Sequence, residues 1–343
     1  MDTQALNTKT LNSKTLNSKT LGSLTTSALG LGCMAMSAAY GEADRGESIA
    51  TVHAALDAGI TLLDTGDFYG VGHNELLLAE ALRPVPRDTY QLSVKFGPQV
   101  GPDGAFLGVD ARPAAVKTAL AYTLKRLGTD HVDVYRPARL DPKVPIEETV
   151  GAIGELVDAG YVRHIGLSEV GSDTIRRAAA TRPISDLQIE YSLVSRGIER
   201  GILDTCRELG IGVTAYGVLA RGLISGHWST TRGGPGDSRL ANPRFTGPNL
   251  EHNLALVEAL RGVAAAVGIT AAQAAIAWVA SRGGDVVPLI GAKTRTRLAE
   301  ALGAAEVTLT AEQCAELEAA IPADEFAGDR YPAAHLAMLD SER

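Results

Sequence analysis

The sequence predicts a single closed barrel of eight parallel strands with surrounding helices, the (β/α)8 or TIM-barrel class of α/β fold. Two observations support this prediction. Short apolar runs alternate regularly with helical patterns from about residue 29 onward. The length of 343 residues also suits one large barrel domain.

The predicted strands are rich in Val, Ile and Leu, as expected for parallel strands covered on both faces. Their ranges are 29–34, 60–64, 90–95, 132–135, 164–168, 187–191, 211–216 and 286–290. The clearest amphipathic helices between them are predicted at 48–58, 112–127, 146–159, 173–180 and 201–209. A doubly wound sheet is the competing architecture. We reject it because residues 29–33 lack the third glycine and the helix start of a dinucleotide fingerprint.

Two segments lie outside the simple alternation. Residues 217–250 form a long stretch, and long loops in compact domains are usually functional. Residues 310–320 predict an amphipathic helix after the eighth unit. Because barrel active sites lie at the carboxyl ends of the strands, we expect the chemically active residues there.

The N-terminal region repeats a polar five-residue unit over residues 8–22. A repeat this short and polar does not bury a core by itself. We therefore predict a flexible, low-complexity leader at 1–20 and a single barrel domain over 21–343. The alternative is an extra strand across the barrel floor.

Composition narrows the function classes. A net charge of −8 argues against a general nucleic-acid binder. Neither a membrane span nor a secretion signal is visible. Cys33, Cys206 and Cys314 are widely separated, without metal spacing, so we expect a reducing, cytoplasmic location and no metal site. The expected partner is a small-molecule substrate, and a homo-oligomer is compatible with the sequence.

An acid, a phenol and an amine follow neighbouring predicted strands. Asp64 and Tyr69 lie at the end of the second strand and Lys95 ends the third. A neighbouring ammonium favours the ionised form of a tyrosine, so we expect the pKa of Tyr69 to be lowered and the phenol to act as a proton donor. The alternative is a buried Asp–Lys pair that closes the barrel, with Tyr69 only packing beside it.

The same segments resemble the aldo-keto reductase superfamily over about residues 21–317. The matching motifs are Leu63-Asp64-Thr65-x-Asp67-x-Tyr69-Gly70, Lys95-Phe96-Gly97, Gly166-Leu167-Ser168 and the stretch from Pro288 to Lys293. The resemblance implies that Asp64, Tyr69 and Lys95 are three members of the catalytic Asp-Tyr-Lys-His tetrad.

The fourth member of the tetrad is replaced. Relatives carry a histidine after the fourth strand, and the flanking Tyr135, Arg139 and Asp141 place Ala138 at that position. The family histidine donates a hydrogen bond to the substrate carbonyl, and losing such a donor costs about 3–4 kcal/mol of barrier. Three interpretations stay open: a tolerated substitution, a pocket reshaped for another substrate, and a cofactor-binding protein with little turnover.

Arg136 shares the strand face of Ala138. It is a candidate for a positive charge near the pocket. Pairing with Asp133 or Glu169 is the alternative.

The resemblance also implies bound NADP(H). Ser168, Glu169 and Gln188 would surround the nicotinamide carboxamide, and Tyr216 would stack on the nicotinamide ring. The residues expected along the pyrophosphate are Gly217, Leu219, Arg221 and Gly222.

The end of the eighth strand combines basic residues with a helix start, a pattern that suits phosphate binding. By resemblance, Lys293 and Arg297 would bind the 2′-phosphate that distinguishes NADP(H) from NAD(H). Gly291 precedes them, and Glu300 would lie at the adenine end. A solvated basic face is the alternative.

Two functional hypotheses follow. The first is an NADPH-dependent oxidoreductase that reduces a carbonyl, or a related C=C or C=N bond, of a small to medium apolar substrate. The second is an NADP(H)-binding protein with a sensing or structural role, or with non-redox chemistry.

Overall fold

Eight parallel strands close into a barrel in the computed structural model, which describes residues 16–234 and 236–342. In chain order the strands are β1 (Ser18–Leu21), β2 (Leu24–Ser27), β3 (Gly30–Gly32), β4 (Leu62–Gly66), β5 (Gln91–Phe96), β6 (Pro98–Val100), β7 (Phe106–Val109), β8 (Val132–Pro137), β9 (Val162–Ser168), β10 (Ile184–Glu190), β11 (Gly212–Tyr216) and β12 (Val286–Gly291). The barrel runs β3-β4-β5-β8-β9-β10-β11-β12 and closes back on β3. The predicted fold class is confirmed.

The helices surround this barrel. They are α1 (Arg45–Asp57), α2 (His73–Leu82), α3 (Pro113–Leu127), α4 (Ile146–Asp158), α5 (Ser172–Thr181), α6 (Ile202–Glu208), α7 (Gly247–Ala266), α8 (Ala271–Ala280), α9 (Arg295–Leu302), α10 (Ala311–Ala320) and α11 (Ala333–Leu336). The helix predicted at 310–320 is α10. It begins where it does because Thr310 and Gln313 form a reciprocal capping box.

The first barrel strand is shorter than predicted. Only Gly30–Gly32 pairs as a strand, and Met34–Ser37 forms a 3-10 turn instead. The chain leaves extended geometry at Cys33, whose φ and ψ of −89° and −5° lie in the helical region. This turn carries Met34 and Ala35 into the wall of the barrel mouth.

The predicted leader needs a correction at its carboxyl end. Ser18–Leu21 is strand β1 and pairs antiparallel with β2, so residues 18–20 are part of a hairpin. The hairpin lies on the amino ends of the barrel strands. A Cβ at Gly212 would stand 2.5 Å from the Cα of Leu21, and Lys19 Nζ donates to the carbonyl of Val286 at 2.6 Å. The alternative interpretation, a strand across the barrel floor, therefore describes Ser18–Leu21, whereas residues 1–15 lie outside the described part of the chain.

The long segment after β11 crosses the opposite end of the barrel. Before α7 begins, its described residues include a kinked 3-10 stretch at Ala220–Ser225 and 3-10 turns at Ser238–Ala241 and Pro243–Phe245. Asp237 forms a β-bridge with Tyr40, and Ser238 Oγ donates to the carbonyl of Ala39 at 2.6 Å. These contacts join the segment to the loop after β3, so that it covers the mouth.

The chain after α10 returns to the same mouth. Arg244 Nε donates to the carbonyl of Gly328 at 3.2 Å, and Gly171 N donates to Asp340 Oδ2 at 2.8 Å. We call residues 328–342 the C-terminal segment.

Within the described residues, no single helix is both long and apolar enough to cross a membrane. Only α7 and α8 taken together pass that test, and they meet at an 81° bend.

Candidate active site

Asp64 and Lys95 form a buried ion pair at the carboxyl ends of β4 and β5. Their side chains are each 5% exposed, and Lys95 Nζ donates to Asp64 Oδ2. The other oxygen, Oδ1, accepts from Gln188 Nε2 at 2.7 Å and from Ser93 Oγ at 3.0 Å. Burial lowers the pKa of Lys95, and Asp64 opposes that effect. The carboxylate is thus held on three sides, which fixes the ammonium that it binds.

Tyr69 lies on the turn after β4, with its ring 5.1 Å from Lys95 Nζ. Burial raises the pKa of the Tyr69 phenol well above its usual value, and the charge of Asp64 adds to that rise. The expectation that the ammonium lowers this pKa was therefore wrong for the structure as it stands. A neutral phenol is nevertheless the form that a proton donor needs.

These side chains open into one cavity of about 860 Å³ at the barrel mouth. A cavity of this size is in the range of small-molecule and cofactor sites. Every predicted site residue except Glu169 lines it. The others are Asp64, Tyr69, Lys95, Ser168, Gln188, Tyr216, Gly217, Leu219, Arg221, Gly222, Gly291, Lys293, Arg297 and Glu300.

Glu169 does not reach the cavity wall, contrary to its predicted place beside the nicotinamide carboxamide. Its backbone has a φ of +54°, which turns the side chain toward the C-terminal segment. Arg330 donates to both carboxylate oxygens, at 2.6 and 3.0 Å. Burial alone would raise the pKa of Glu169, but the hydrogen bonds and charge of Arg330 hold it at about 2.

Tyr216 lines the cavity at the end of β11, and its hydroxyl contacts both Glu169 and the C-terminal segment. It donates to Glu169 Oε1 at 2.6 Å and lies 2.9 Å from the hydroxyl of Tyr331. Tyr331 belongs to the C-terminal segment and lines the cavity too. Neither Tyr331 nor Arg330 was predicted from the sequence, in which an Arg-Tyr-Pro run in an otherwise unassigned tail was the only signal.

One end of the cavity is strongly basic. Lys293 Nζ donates to backbone carbonyls of the loop after β3, including that of Tyr40 at 3.2 Å, and Arg297 pairs with Glu300 at 3.1 Å. Arg232 and Arg239, from the long segment after β11, line the same end but were not predicted. Burial lowers the pKa of Lys293, and the neighbouring Arg239 and Arg232 lower it further.

Arg295, the third cation of the predicted basic stretch, faces elsewhere. It pairs with Glu47 of α1 at 2.8 Å on the surface and is absent from the cavity wall.

Arg221 was predicted beside the pyrophosphate, but its guanidinium is bound to the C-terminal segment. It donates to the carbonyl of Arg330 at 2.8 Å and lies 4.3 Å from the centre of the Tyr331 ring. Its own backbone has a φ of +58°, next to +46° at Ala220. Non-glycine residues in this region are strained and cluster at ligand sites.

Arg136 is fully buried beneath the site rather than in the pocket. Its Nη1 lies 3.0 Å from Asp186 Oδ2, and its Nη2 donates to Ser93 Oγ at 2.8 Å. The two predicted partners, Asp133 and Glu169, pair with Arg87 and Arg330 instead. Through Ser93, Arg136 supports the carboxylate of Asp64.

Ala138 lines the cavity and is 2% exposed. The next side chain, Arg139, also lines it. Arg139 Nη1 donates to the carbonyl of Ala138 at 2.6 Å, and Nη2 lies 3.4 Å from the hydroxyl of Tyr331.

Among the described residues, no group of three or more His, Cys, Asp or Glu side chains is placed to hold a metal ion. The expected absence of a metal stays a prediction.

Comparison with known proteins gives consistent matches. The model described as "Aldo/keto reductase family" matches residues 28–322. A soybean (Glycine max) protein named "Probable aldo-keto reductase 1" is 41% identical over 305 residues, covering 88% of this chain and 87% of its own length.

Solved structures agree. The glycerol dehydrogenase from Gluconobacter oxydans superimposes with a TM-score of 0.80 at 28% identity, covering 89% of this chain and 96% of that one. The holo form of an aldo-keto reductase from Bacillus halodurans gives a TM-score of 0.75 at 27% identity, with 90% and 97% covered.

Proposed function

Because the chain belongs to the aldo/keto reductase family, we propose that it is an NADPH-dependent oxidoreductase that reduces a carbonyl, or a related C=C or C=N bond, with Tyr69 as the proton donor. The observation that carries the proposal is the cavity itself. It joins a phenol beside an Asp64–Lys95 pair at one end to a cluster of cations at the other.

The cavity fits the cofactor that the family implies. Lys293 and Arg232 line it without a carboxylate within ion-pair distance in the described structure, so their charges are available to phosphate groups. Tyr216 adds an aromatic ring to the wall of the same cavity. These residues would hold NADP(H), and the bound cofactor would supply the hydride.

The chain's own residues supply the proton. Burial keeps the phenol of Tyr69 neutral, and the ammonium of Lys95 lies at the face of its ring. As negative charge develops on the substrate oxygen, the phenol O–H donates its proton to that oxygen. The Lys95 ammonium then stabilises the phenolate that remains.

The apolar part of the cavity wall suits the body of the substrate. Met34, Ala35, Phe68, Leu219 and Trp228 line it. A small to medium molecule with an apolar body fits this wall, as proposed from the sequence.

The test is turnover followed by NADPH absorbance over a panel of aldehydes and ketones, in the wild type and in Tyr69→Phe. The Phe variant keeps the ring and removes the proton donor, so we expect kcat to fall about 10²–10⁴-fold. NADPH affinity, measured by fluorescence, should stay within a small factor because the hydroxyl faces the substrate. Undiminished turnover in the variant would refute the proton-donor role. If the folded wild type binds NADPH but no carbonyl of the panel causes its oxidation, the result would favour the second function, a binding protein.

The three cysteines are buried and free of disulfides. This supports the proposed cytoplasmic location. Homo-oligomerisation stays a proposal that sedimentation of the purified protein would test.

A further inference from the structure

The cations that line the cavity fall into two groups. Four have a carboxylate partner: Lys95 with Asp64, Arg221 with Glu190, Arg239 with Asp237 and Arg297 with Glu300. Within residues 16–234 and 236–342, the cavity-lining cations without an ion-pair partner are Arg139, Arg232 and Lys293.

Two of these three lie at the basic end. Burial and the charge of Arg239 lower the pKa of both Arg232 and Lys293, and Arg232 lowers that of Lys293 further, so the three cations lie close together. Phosphate groups of the proposed cofactor account for both charges.

The third, Arg139, lies at the other end of the cavity. It directly follows Ala138, and its charge opposes the rise in the pKa of Tyr69. The nearest acid, Glu169, is beyond ion-pair distance, and both its oxygens are taken by Arg330. Within the described residues Arg139 forms no ion pair, and the charge of Glu169 acts on it only from a greater distance, because Glu169 is paired with Arg330.

The guanidinium of Arg139 also has donors to spare. Five N–H groups are available on an arginine. The structure uses one for the carbonyl of Ala138 and aims another, at 3.4 Å, at the hydroxyl of Tyr331. The centre of the Tyr331 ring lies 5.8 Å from the guanidinium of Arg139, and this contact limits the movement of the Arg139 side chain. Against the effect of its burial, Tyr331, Tyr216 and Glu169 raise the pKa of Arg139, so an anionic ligand in the cavity would meet a guanidinium that stays charged.

We infer that the substrate is an oxo acid, a carbonyl compound carrying a carboxylate, and that Arg139 binds this carboxylate while Tyr69 serves the carbonyl. The inference rests on the proposed reductase function. It refines the apolar substrate expected from the sequence into an amphipathic one, with an apolar body and one anionic group. It also assigns the side chain next to Ala138 as the residue that determines specificity.

The test compares each acid with its methyl ester as paired substrates: 2-oxo-2-phenylacetate and 4-oxo-4-phenylbutanoate, each with its ester. In the wild type we expect kcat/KM for at least one acid to exceed that for its ester about 10–100-fold, the range of a charge-assisted hydrogen-bonded pair. Arg139→Gln should remove this advantage, whereas Arg139→Lys should retain part of it.

Arg232→Gln is the matched control, because it removes an unpaired cation from the opposite end of the same cavity. It should weaken NADPH binding and lower the rates on acid and ester by the same factor. Melting temperature and NADPH affinity establish that each variant is folded.

A measurement on the wild type alone covers the case in which the Arg139 variants do not fold. In a direct binding titration of the NADP+ complex by calorimetry, benzoate should bind, and benzamide should bind about 10-fold more weakly or not at all. The advantage of benzoate should shrink at high salt.

Three results would overturn the inference while leaving the reductase function in place: equal kcat/KM for acids and esters in the wild type, an acid preference that survives in Arg139→Gln, and an equal loss on acid and ester in that variant. The last result would mean that the guanidinium acts on the carbonyl oxygen instead. Absence of turnover on every carbonyl, by contrast, is a failure of the reductase proposal, and the benzoate measurement still decides the carboxylate site.

Discussion

The turn between β4 and α2 carries Tyr69 and holds two residues in unfavourable states on either side of it. Asp67 is a largely buried carboxyl whose Oδ1 has no hydrogen-bond partner within the described structure. Val71 is a β-branched residue with a φ of +52°. Both have a free-energy cost that the fold tolerates beside the candidate proton donor.

Asp67 should make stability depend on pH. Burial first, and the buried Glu75 second, raise its pKa from the ordinary 3.8 to about 7, against the charge of Arg126. Between these two values the native protein binds a proton that the unfolded chain has lost, so stability falls as pH rises from about 4 to 7 and is constant above.

Asp67→Asn removes this titration. The variant should gain stability relative to the wild type as pH rises, by about 4 kcal/mol between pH 4 and 8. Urea unfolding of both proteins at several pH values measures the difference. A difference that does not change with pH would show that Asp67 ionises normally.

Val71 should be replaceable with a gain in stability. The side chain is 71% exposed, so little burial is lost, while left-handed backbone costs about 1–2 kcal/mol in an ordinary L-residue. We expect Val71→Asn and Val71→Gly to raise the free energy of unfolding by about 0.5–1.5 kcal/mol. Val71→Ala, which keeps a Cβ, is the control and should gain less. Loss of stability in both Asn and Gly variants would mean that the valine side chain makes a contact that matters.

For single residues, the sequence predicted which side chains belong to the site better than it predicted which side chains they contact. Asp64, Tyr69 and Lys95 were found because they follow neighbouring strands. The Glu169–Arg330 pair was not, because its members are 161 positions apart and a tail arginine carries no local signal. The same holds for Arg139, because only the folded structure shows that it lines the cavity without an ion pair among the described residues.

Among the elements, the β1–β2 hairpin adds a second, smaller apolar cluster to the molecule. Leu21 is fully buried with Leu24, Leu62, Val134 and Val287. These side chains fill the barrel interior from its floor. The hairpin therefore acts as a plug rather than as a leader.

Leu21→Ala should destabilise the barrel by about 2–4 kcal/mol, because it removes buried methyl groups and leaves a cavity. Thr20→Ala is the matched control. That side chain is exposed on the same strand, so its loss should change stability by less than about 0.5 kcal/mol. Denaturant unfolding of the two variants gives both values. Equal, small effects would show that the hairpin contributes no stability.

The barrel strands were predictable because apolar runs covered on both faces have a strong signal. The hairpin was ambiguous for a physical reason. Its strands have four residues each, and their outward positions carry the same Ser, Thr and Lys as the repeat before them. Its one decisive feature, the fit of Leu21 against Gly212, is a tertiary contact.

The whole molecule carries a net charge of −8, yet it gathers cations around one end of its cavity. An acidic surface keeps polyanions away in general, while a local basic site remains selective for a small anion that enters the cavity. Phosphate recognition should then depend on individual side chains rather than on overall charge.

Arg297→Ala should accordingly weaken NADPH binding about 10-fold and NADH binding much less, since only NADPH offers a 2′-phosphate. Part of the wild-type preference for NADPH should disappear at high salt. Arg295→Ala is the matched control, because that guanidinium pairs with Glu47 outside the cavity. Titrations of both cofactors by fluorescence test this. Equal affinity of the wild type for the two cofactors would remove the phosphate assignment.

The described ends of the chain lie at opposite poles of the barrel. Ser18 enters at the floor, beside the amino ends of β11 and β12, whereas the C-terminal segment finishes at the mouth, where Ser341 Oγ donates to Glu169 at 2.7 Å. A carrier protein or solid support joined ahead of the hairpin would be attached at the face away from the catalytic opening. The same attachment after residue 342 would sit beside that opening and pull on the contacts of Arg330. For immobilised or fused forms, the amino end is thus the side from which the protein can be held without obstructing its entrance.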